Sequence, residues 1–383
     1  MLIQTWALII AAYRELNAKK LFWITMGINL LLVVVFAALG ISAKGVTFLH
    51  WTLPSDFMNT SNVSPEMFYR LYFVEVFKKF WLTWAATILA LVSTAGMVPD
   101  LIRGGTIETM LSKPISRTRL FLTKYTSGLL FVVLQVAVFS FGSLLVIGIR
   151  GDAWDFRILL AIPIIAVFFS YLFSICAVFG MITKSTITAL LLTFLVWAAV
   201  FATNAADTIL VQQRESVAVQ IEDLQQSEAN YTLLRDRSAE QVQTNGPDTA
   251  LGKRYATAAI EQQANLSETQ AKLITQQASL KTWTKWTSRL NYARTILPKT
   301  GETTGLLNRY LMSREEVTRL MTQGSGVNSD ADDDIPSFAD PRATERAEEA
   351  RRDRSVLWIV GTSLLFEGVM LLIATGLFVR RDF

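Results

Sequence analysis

Six stretches of this chain are each about as long and apolar as the roughly 20 residues that cross the hydrocarbon core of a bilayer. They run Leu21–Ile41, Phe80–Val98, Ser127–Ile149, Leu159–Ile182, Ile187–Thr203 and Val356–Val379. A bilayer offers no water to backbone N–H and C=O groups, so segments of this kind are expected to be helices that satisfy those groups internally. The expected fold is an all-α polytopic membrane protein with six transmembrane helices. Composition agrees, since only 18% of residues are charged against about 25% in a soluble domain. The first stretch outruns the roughly 7–15 apolar residues of a cleaved signal peptide, and it is read as a retained span.

Lys and Arg in short loops set orientation. Arg14, Lys19 and Lys20 precede the first span, and Arg103, Lys113, Arg117, Arg119 and Lys124 lie between the second and third. Lys184 sits between the fourth and fifth, and Arg380 and Arg381 follow the sixth. Six spans put all of these on one side, so both termini are expected in the cytoplasm, with a bacterial inner membrane as the location. Lys44, Arg70, Lys78 and Lys79 in the first outer loop run against this count.

The expected organisation follows from these boundaries. Residues 1–20 form an interfacial amphipathic helix with Leu2, Trp6, Ile9, Ile10, Tyr13 and Leu16 on one face, suited to the membrane–water boundary and its lipid. Residues 21–203 carry spans one to five and a cytoplasmic loop at 99–125. Residues 204–354 form a large extracytoplasmic insertion, and residues 355–383 the sixth span and a basic tail. The insertion holds 19 Lys+Arg and 22 Asp+Glu, whereas the rest of the chain holds 17 and 10. The sequence pI of 9.1 therefore comes from membrane flanks and not from a nucleic-acid surface.

Within the insertion, Ala205–Gln243 contains no Pro or Gly, and Val217, Ile221, Leu224, Tyr231 and Leu234 recur at helical spacing. Thr244-Asn-Gly-Pro-Asp248 is a dense turn signal. A second helical run follows from Thr249 to Trp286, with Leu266, Leu273 and Leu280 at heptad spacing. These two arms predict an antiparallel helical hairpin with a short coiled-coil seam, its first arm continuous with the fifth span. A loop at Ile296–Gly301, a helix over Thr304–Met321, an acidic loop over Gly324–Asp340 and an outward extension of the sixth span over Ala343–Arg354 complete the reading. The acidic loop, with Asp330, Asp332, Asp333 and Asp334, lacks the spacing of a calcium-binding loop.

Much chemistry is excluded. Cys176 is the only cysteine and His50 the only histidine, which removes a disulfide framework, a Ser-His-Asp triad elsewhere in the chain and any multi-histidine metal centre. Gly246…Gly252-Lys253 has five residues between its glycines where a phosphate-binding loop has four, and Arg254 stands where Ser or Thr would hold Mg²⁺. No cofactor or metal is expected in this chain, and it is not read as an enzyme. Two intramembrane polar residues invite a functional reading. Glu367, mid-span in the sixth stretch, is either a substrate or proton contact or a hydrogen-bonded residue that fixes helix packing. Gln135 in the third span is a weaker example, and Cys176 reads as a small buried hydrophobe.

The loop after the second span is the most informative segment. It reads Pro99-Asp-Leu-Ile-Arg-Gly104-Gly105-Thr106-Ile-Glu108-Thr-Met-Leu111-Ser-Lys113-Pro114-Ile-Ser116-Arg117-Thr-Arg119, then Lys124-Tyr125. Thr106 can cap a short helix with Glu108 near its positive end. Lys113-Pro114 stops that helix, and Ser116 starts the helix leading into the third span. This run, the ending Leu377–Phe383 and the six-span layout resemble ABC-transporter permeases of the second exporter class, in the multicopper-enzyme-maturation subfamily typified by the nitrous-oxide-reductase accessory permease. The likeness covers about Met1–Thr203 and Ser355–Phe383.

The resemblance implies a permease dimer, with itself or a homologous permease, bound to two cytoplasmic ABC ATPase subunits that carry the ATP and Mg²⁺. By position, Gly104, Gly105, Thr106, Glu108, Leu111, Lys113, Pro114, Ser116 and Arg117 would lie at or beside the ATPase contact. The insertion of about 150 residues departs from many relatives, so the ATP-driven motion is expected to serve either export or mechanical action on an extracytoplasmic protein held by the 205–286 hairpin. The alternative is a membrane-anchored scaffold or receptor whose hairpin binds outer proteins. An intramembrane enzyme would have Glu367 as an isolated acid with no nucleophile–base pair.

Overall fold

The computed structural model describes residues 20–55, 58–102, 116–313 and 340–380, together with Ile10, Arg14 and Asn17. The chain is predominantly helical, and among the described residues six helices are long and apolar enough to cross a membrane. Each of the six apolar stretches read from the sequence falls on one of them, apart from the last residues of the first. The chain divides into two compact units. The first comprises Met1–Asn204, Arg294–Val327 and Ser355–Phe383, and the second Ala205–Ala293 with Asn328–Arg354.

In the first unit, α1 (Lys20–Ala38) ends three residues before the expected boundary at Ile41. There the chain turns into an antiparallel three-stranded sheet, β1 (Leu39–Ser42), β2 (Gly45–Phe48) and β3 (Trp51–Pro54), paired in chain order. This small sheet is an addition to the predominantly helical chain that the all-α reading expects. The apolar run Leu39-Gly-Ile is continuous with the span, so hydropathy alone carries it across the boundary. Gly45, at φ +138°, makes the β1–β2 turn, and a Cβ there would collide with the Leu53 carbonyl. The Tyr69 hydroxyl then donates to the Leu39 carbonyl at 2.8 Å and accepts from Arg150 Nε at 2.9 Å.

The second apolar helix begins well before Phe80. Ser64 caps α2 (Pro65–Tyr72), which passes into a π-helical stretch, Phe73–Ala86, then α3 (Thr87–Thr94) and α4 (Met97–Ile102). Wide turns are uncommon and leave carbonyls misaligned where they return to α geometry. Thr83 and Thr87 answer this by donating to the carbonyls five residues back, Lys78 and Leu82, each at 2.9 Å. An aromatic lattice fills the space between helices, with Phe36 4.8 Å from Phe77 and Phe77 5.7 Å from Phe139, ring centre to ring centre.

The expected helix start at Ser116 is present. Ser116 Oγ accepts from Arg119 N at the head of α5 (Arg117–Arg150). A short 3₁₀ turn, Phe156–Leu160, leads into α6 (Ala161–Thr183), which ends at Lys184 in a left-handed conformation. The fifth stretch and the first hairpin arm form one helix, α7 (Thr186–Asn245). The second arm, α8 (Ala250–Ile296), runs ten residues beyond Trp286.

The segment after α8 differs from its expectation. The helix there is α9 (Thr300–Leu311), four residues earlier than read, and it packs within the first unit against α6. Its apolar side, Leu306, Leu307 and Leu311, is buried. This helix ends at Leu311, with Met312 extended, where the expectation ran on to Met321; residues 314–339, which include most of the acidic loop, lie outside the described residues. Ala343–Arg354 does not extend the sixth span. α10 (Pro341–Arg352) ends, and Ser355 precedes a separate helix, α11 (Val356–Val379).

In the second unit, the turn between the arms uses Gly246 at φ +83°. Gly252 lies against the Gly246 carbonyl, where a Cβ has no room. The two glycines that imitate a phosphate-binding loop thus serve a helix–helix turn. Val217, Ile221, Leu266 and Leu273 of the predicted seam are buried, whereas Leu234 is exposed. α10 is clipped to α7 by Arg342 to Asp223 (2.7 and 2.9 Å), Arg346 to Glu222 (2.7 and 2.8 Å) and Arg354 to Asp207 (2.9 and 3.3 Å). The buried alanines Ala343 and Ala347 leave the helix backbone free to approach closely.

Candidate functional site

Two regions of the first unit carry chemistry. The first is the end of the helical bundle that holds Ile102 and Ser116, which flank the segment expected from the sequence to contact an ATPase. Gly104, Gly105, Thr106, Glu108, Leu111, Lys113 and Pro114 lie outside the described residues, but both flanks are placed. Val98 and Leu101 before the segment, and Leu120 and Phe121 after it, share one apolar cluster with Ala177, Val178 and Met181 of α6 and Ala374 and Phe378 of α11. Phe121 and Phe378 stand 5.9 Å apart. Arg117 Nη1 donates to the Val379 carbonyl at 3.1 Å, a cation at the negative end of α11. The two ends of the segment are therefore fastened to α6 and α11 as well as to each other.

The second region is the interior around Glu367. Glu367, on α11, is 8% exposed and faces α5 and α6. Tyr125 Oη lies 2.9 Å from Glu367 Oε1, and Ser170 Oγ lies 2.6 Å from Oε2. Each hydroxyl has a second acceptor: Tyr125 the Ser170 carbonyl at 2.9 Å, Ser170 the Val167 carbonyl at 2.8 Å. Tyr125 is held in place by stacking on Phe173, with ring centres 5.0 Å apart and planes 10° from parallel. Gly128, one turn along α5, makes room for that ring.

One turn nearer the start of α11, Ser363 Oγ accepts from the Lys299 backbone N–H at 3.0 Å. The Lys299 ammonium is buried, bonded to Thr362 Oγ1 at 2.5 Å and to the Arg294 carbonyl at 3.3 Å, and lies 4.2 Å from the centre of the Trp358 ring. Such a contact suits a desolvated cation. Beside it Arg294 pairs with Glu302 at 2.5 Å and reaches Asn204 at 3.4 Å. The Tyr171 hydroxyl lies near Thr303 and Ser363 without a hydrogen bond of full geometry.

Gln135 is fully buried and donates to the Ala86 carbonyl at 3.4 Å, at the last residue of the π-helical stretch. That contact braces an irregular turn and does not face Glu367's partners. Cys176 is buried in the aromatic core. Arg70 and Lys78, which ran against the charge count, are both engaged. Arg70 pairs with Glu66 and Asp155 and donates to the Leu311 carbonyl, while Lys78 donates to Asn308 of α9.

The sequence reading missed Lys299, Arg294 and Glu302 as a buried cluster, and Tyr125 and Ser170 as partners of Glu367. Only the pattern of Thr300–Leu311, with Thr303, Thr304, Leu306, Leu307 and Leu311 on one side, could have hinted that α9 is packed inside. Among the described residues, no group of three or more His, Cys, Asp or Glu is placed to hold a metal. No protein family, no curated protein and no solved structure matches this chain.

Proposed function

We propose that this chain is the permease subunit of an ATP-driven transporter of the ABC type, with six spans and both termini on the cytoplasmic face of a bacterial inner membrane. A separate ATPase subunit docks on the segment Gly104–Arg117, and two copies of the permease, or one with a homologue, form the working unit. The observation that carries this reading is the fastening of that segment's two flanks to α6 and α11 through one apolar cluster and the Arg117–Val379 bond. Packed interiors deform little, so a push on the segment passes into the helices as a rigid displacement. ATP and Mg²⁺ belong to the partner, and the chain itself carries out no reaction.

Within this reading, action on an extracytoplasmic protein is favoured over solute export by one feature. The fifth span and the first hairpin arm are a single helix of 60 residues, with no Gly or Pro between Thr186 and Asn245 to absorb a displacement.

The test is purification of the full-length protein in mild detergent from its native membrane. A stoichiometric nucleotide-binding subunit is expected to accompany it and to be lost when residues 104–115 become a Gly/Ser linker that leaves the Ser116 cap intact. Recovery of extracytoplasmic proteins alone would overturn the permease and establish the scaffold.

A further inference from the structure

We propose that Glu367, with Tyr125 and Ser170, forms a proton-binding site inside the membrane, which gains and loses a proton by turning one hydroxyl, that of Tyr125, while its heavy atoms stay in place. Each hydroxyl has one proton and two acceptors in reach, a carboxylate oxygen and a backbone carbonyl.

With Glu367 ionised, Tyr125 donates to Oε1 and Ser170 to Oε2, and both carboxylate oxygens are satisfied. When a proton from water arrives on Oε1, the new carboxyl O–H donates to Tyr125 Oη. Tyr125 then turns its own proton to the Ser170 carbonyl, and Ser170 continues to donate to Oε2. Two protons serve the first state and three the second. No bond in either state departs from the 2.6–2.9 Å separations present. Release is the reverse, with the proton returned to water.

A residue placed only to fix packing needs one such arrangement, as Gln135 has with Ala86. The site around Glu367 supplies two. Among the described residues, the surroundings add no fixed counter-charge that would hold it in one state. The titratable group facing it from α5 is Tyr125 and from α6 is Tyr171. On α11 itself the neighbour one turn away is Ser363. The nearest cation from the α9 side, Lys299, is engaged with Thr362 and Trp358. Tyr125 stands on α5 and Ser170 on α6, and α11 packs along α6 and is tied to α5 at Val379, so movement of α11 relative to them separates Glu367 from both hydroxyls. Proton occupancy and helix position are thereby linked.

The inference does not depend on the permease reading. Its test is infrared difference spectroscopy of the full-length protein in lipid nanodiscs, titrated over about pH 3 to 10, a span that takes in the ordinary carboxyl range and several units above it. A carboxyl C=O band is expected to appear and vanish reversibly, to shift on ¹³C-glutamate labelling, and to be lost in Glu367→Gln. Tyr125→Phe, which keeps the stacked ring, and Ser170→Ala are each expected to move its frequency. If Glu367→Gln does not fold, the isotope label with Tyr125→Phe still assigns the band. A glutamate that stays ionised, or stays protonated, across the whole range would overturn the proposal. So would a band that neither hydroxyl variant moves.

Discussion

Arg117 and Val379, 262 residues apart, are joined by a hydrogen bond of 3.1 Å from the Arg117 guanidinium to the Val379 carbonyl. The bond ties the first turn of α5 to the last turn of α11, beside the ring contact of Phe121 with Phe378. It joins α5 and α11 next to the segment proposed as the ATPase contact.

Reversing charge at this point tests the coupling role. Arg117→Glu sets a carboxylate against the negative end of α11, and Glu108→Lys alters the segment itself. Both variants are expected to insert normally and to lose stimulation of a co-purified ATPase subunit. Stimulation unchanged in both would remove the segment as the coupling site.

The Arg294–Glu302 pair predicts a stability effect. Its side chains are 3% and 12% exposed, so removing one partner leaves the other charge buried. Arg294→Ala or Glu302→Ala is expected to cost about 3–5 kcal/mol, read as a fall in the unfolding midpoint in detergent. The double variant is expected to lose less than the sum of the singles. Strict additivity would mean the two residues act independently.

Gly128 gives a packing prediction. A Cβ there would stand 2.5 Å from Phe173 Cε1 and 2.7 Å from Cζ, and that ring cannot slide without leaving Tyr125. Gly128→Ala is expected to destabilise by about 1–3 kcal/mol. A variant as stable as the parent would show that Phe173 has another place to go.

The clip between α10 and α7 should weaken in acid. Hydrogen bonds from Arg346 and Arg342 hold the Glu222 and Asp223 carboxyls below their ordinary values of 4.5 and 3.8. A carboxylate with a depressed folded value contributes stability above its unfolded pKa and loses it as pH falls through the folded one. Hydrogen exchange of the 341–352 amides, corrected for intrinsic rates, is therefore expected to quicken below about pH 4.5. These side chains are exposed, so high salt at neutral pH should give part of the same effect. Protection unchanged at pH 3 and in high salt would mean that Ala343 and Ala347 hold the helix alone.

Several elements were legible because their signals are local. A continuous apolar run marks a membrane-length helix regardless of what it packs against. The turn at Thr244–Asp248 and the start at Ser116 follow from Gly, Pro and capping chemistry within four or five residues. The sheet over Leu39–Pro54 was not legible, because its first strand prolongs the hydropathy of α1. The engagement of Arg70 and Lys78 with Asp155, the Leu311 carbonyl and Asn308 was not legible either, because those partners lie far away in sequence.

The sequence by itself determined which segments are apolar enough to span a bilayer, where the hairpin turns, and that Glu367 sits in the middle of an apolar helix. Tertiary structure alone decided what surrounds that carboxylate. Tyr125 and Ser170 reach it from 242 and 197 residues away, and Lys299 is buried beside Trp358 although its neighbours read as a loop. Hydropathy and capping act within a turn or two of helix, whereas the pairing of side chains across a bundle depends on how whole helices rotate and settle against one another, and no stretch of a few residues records that.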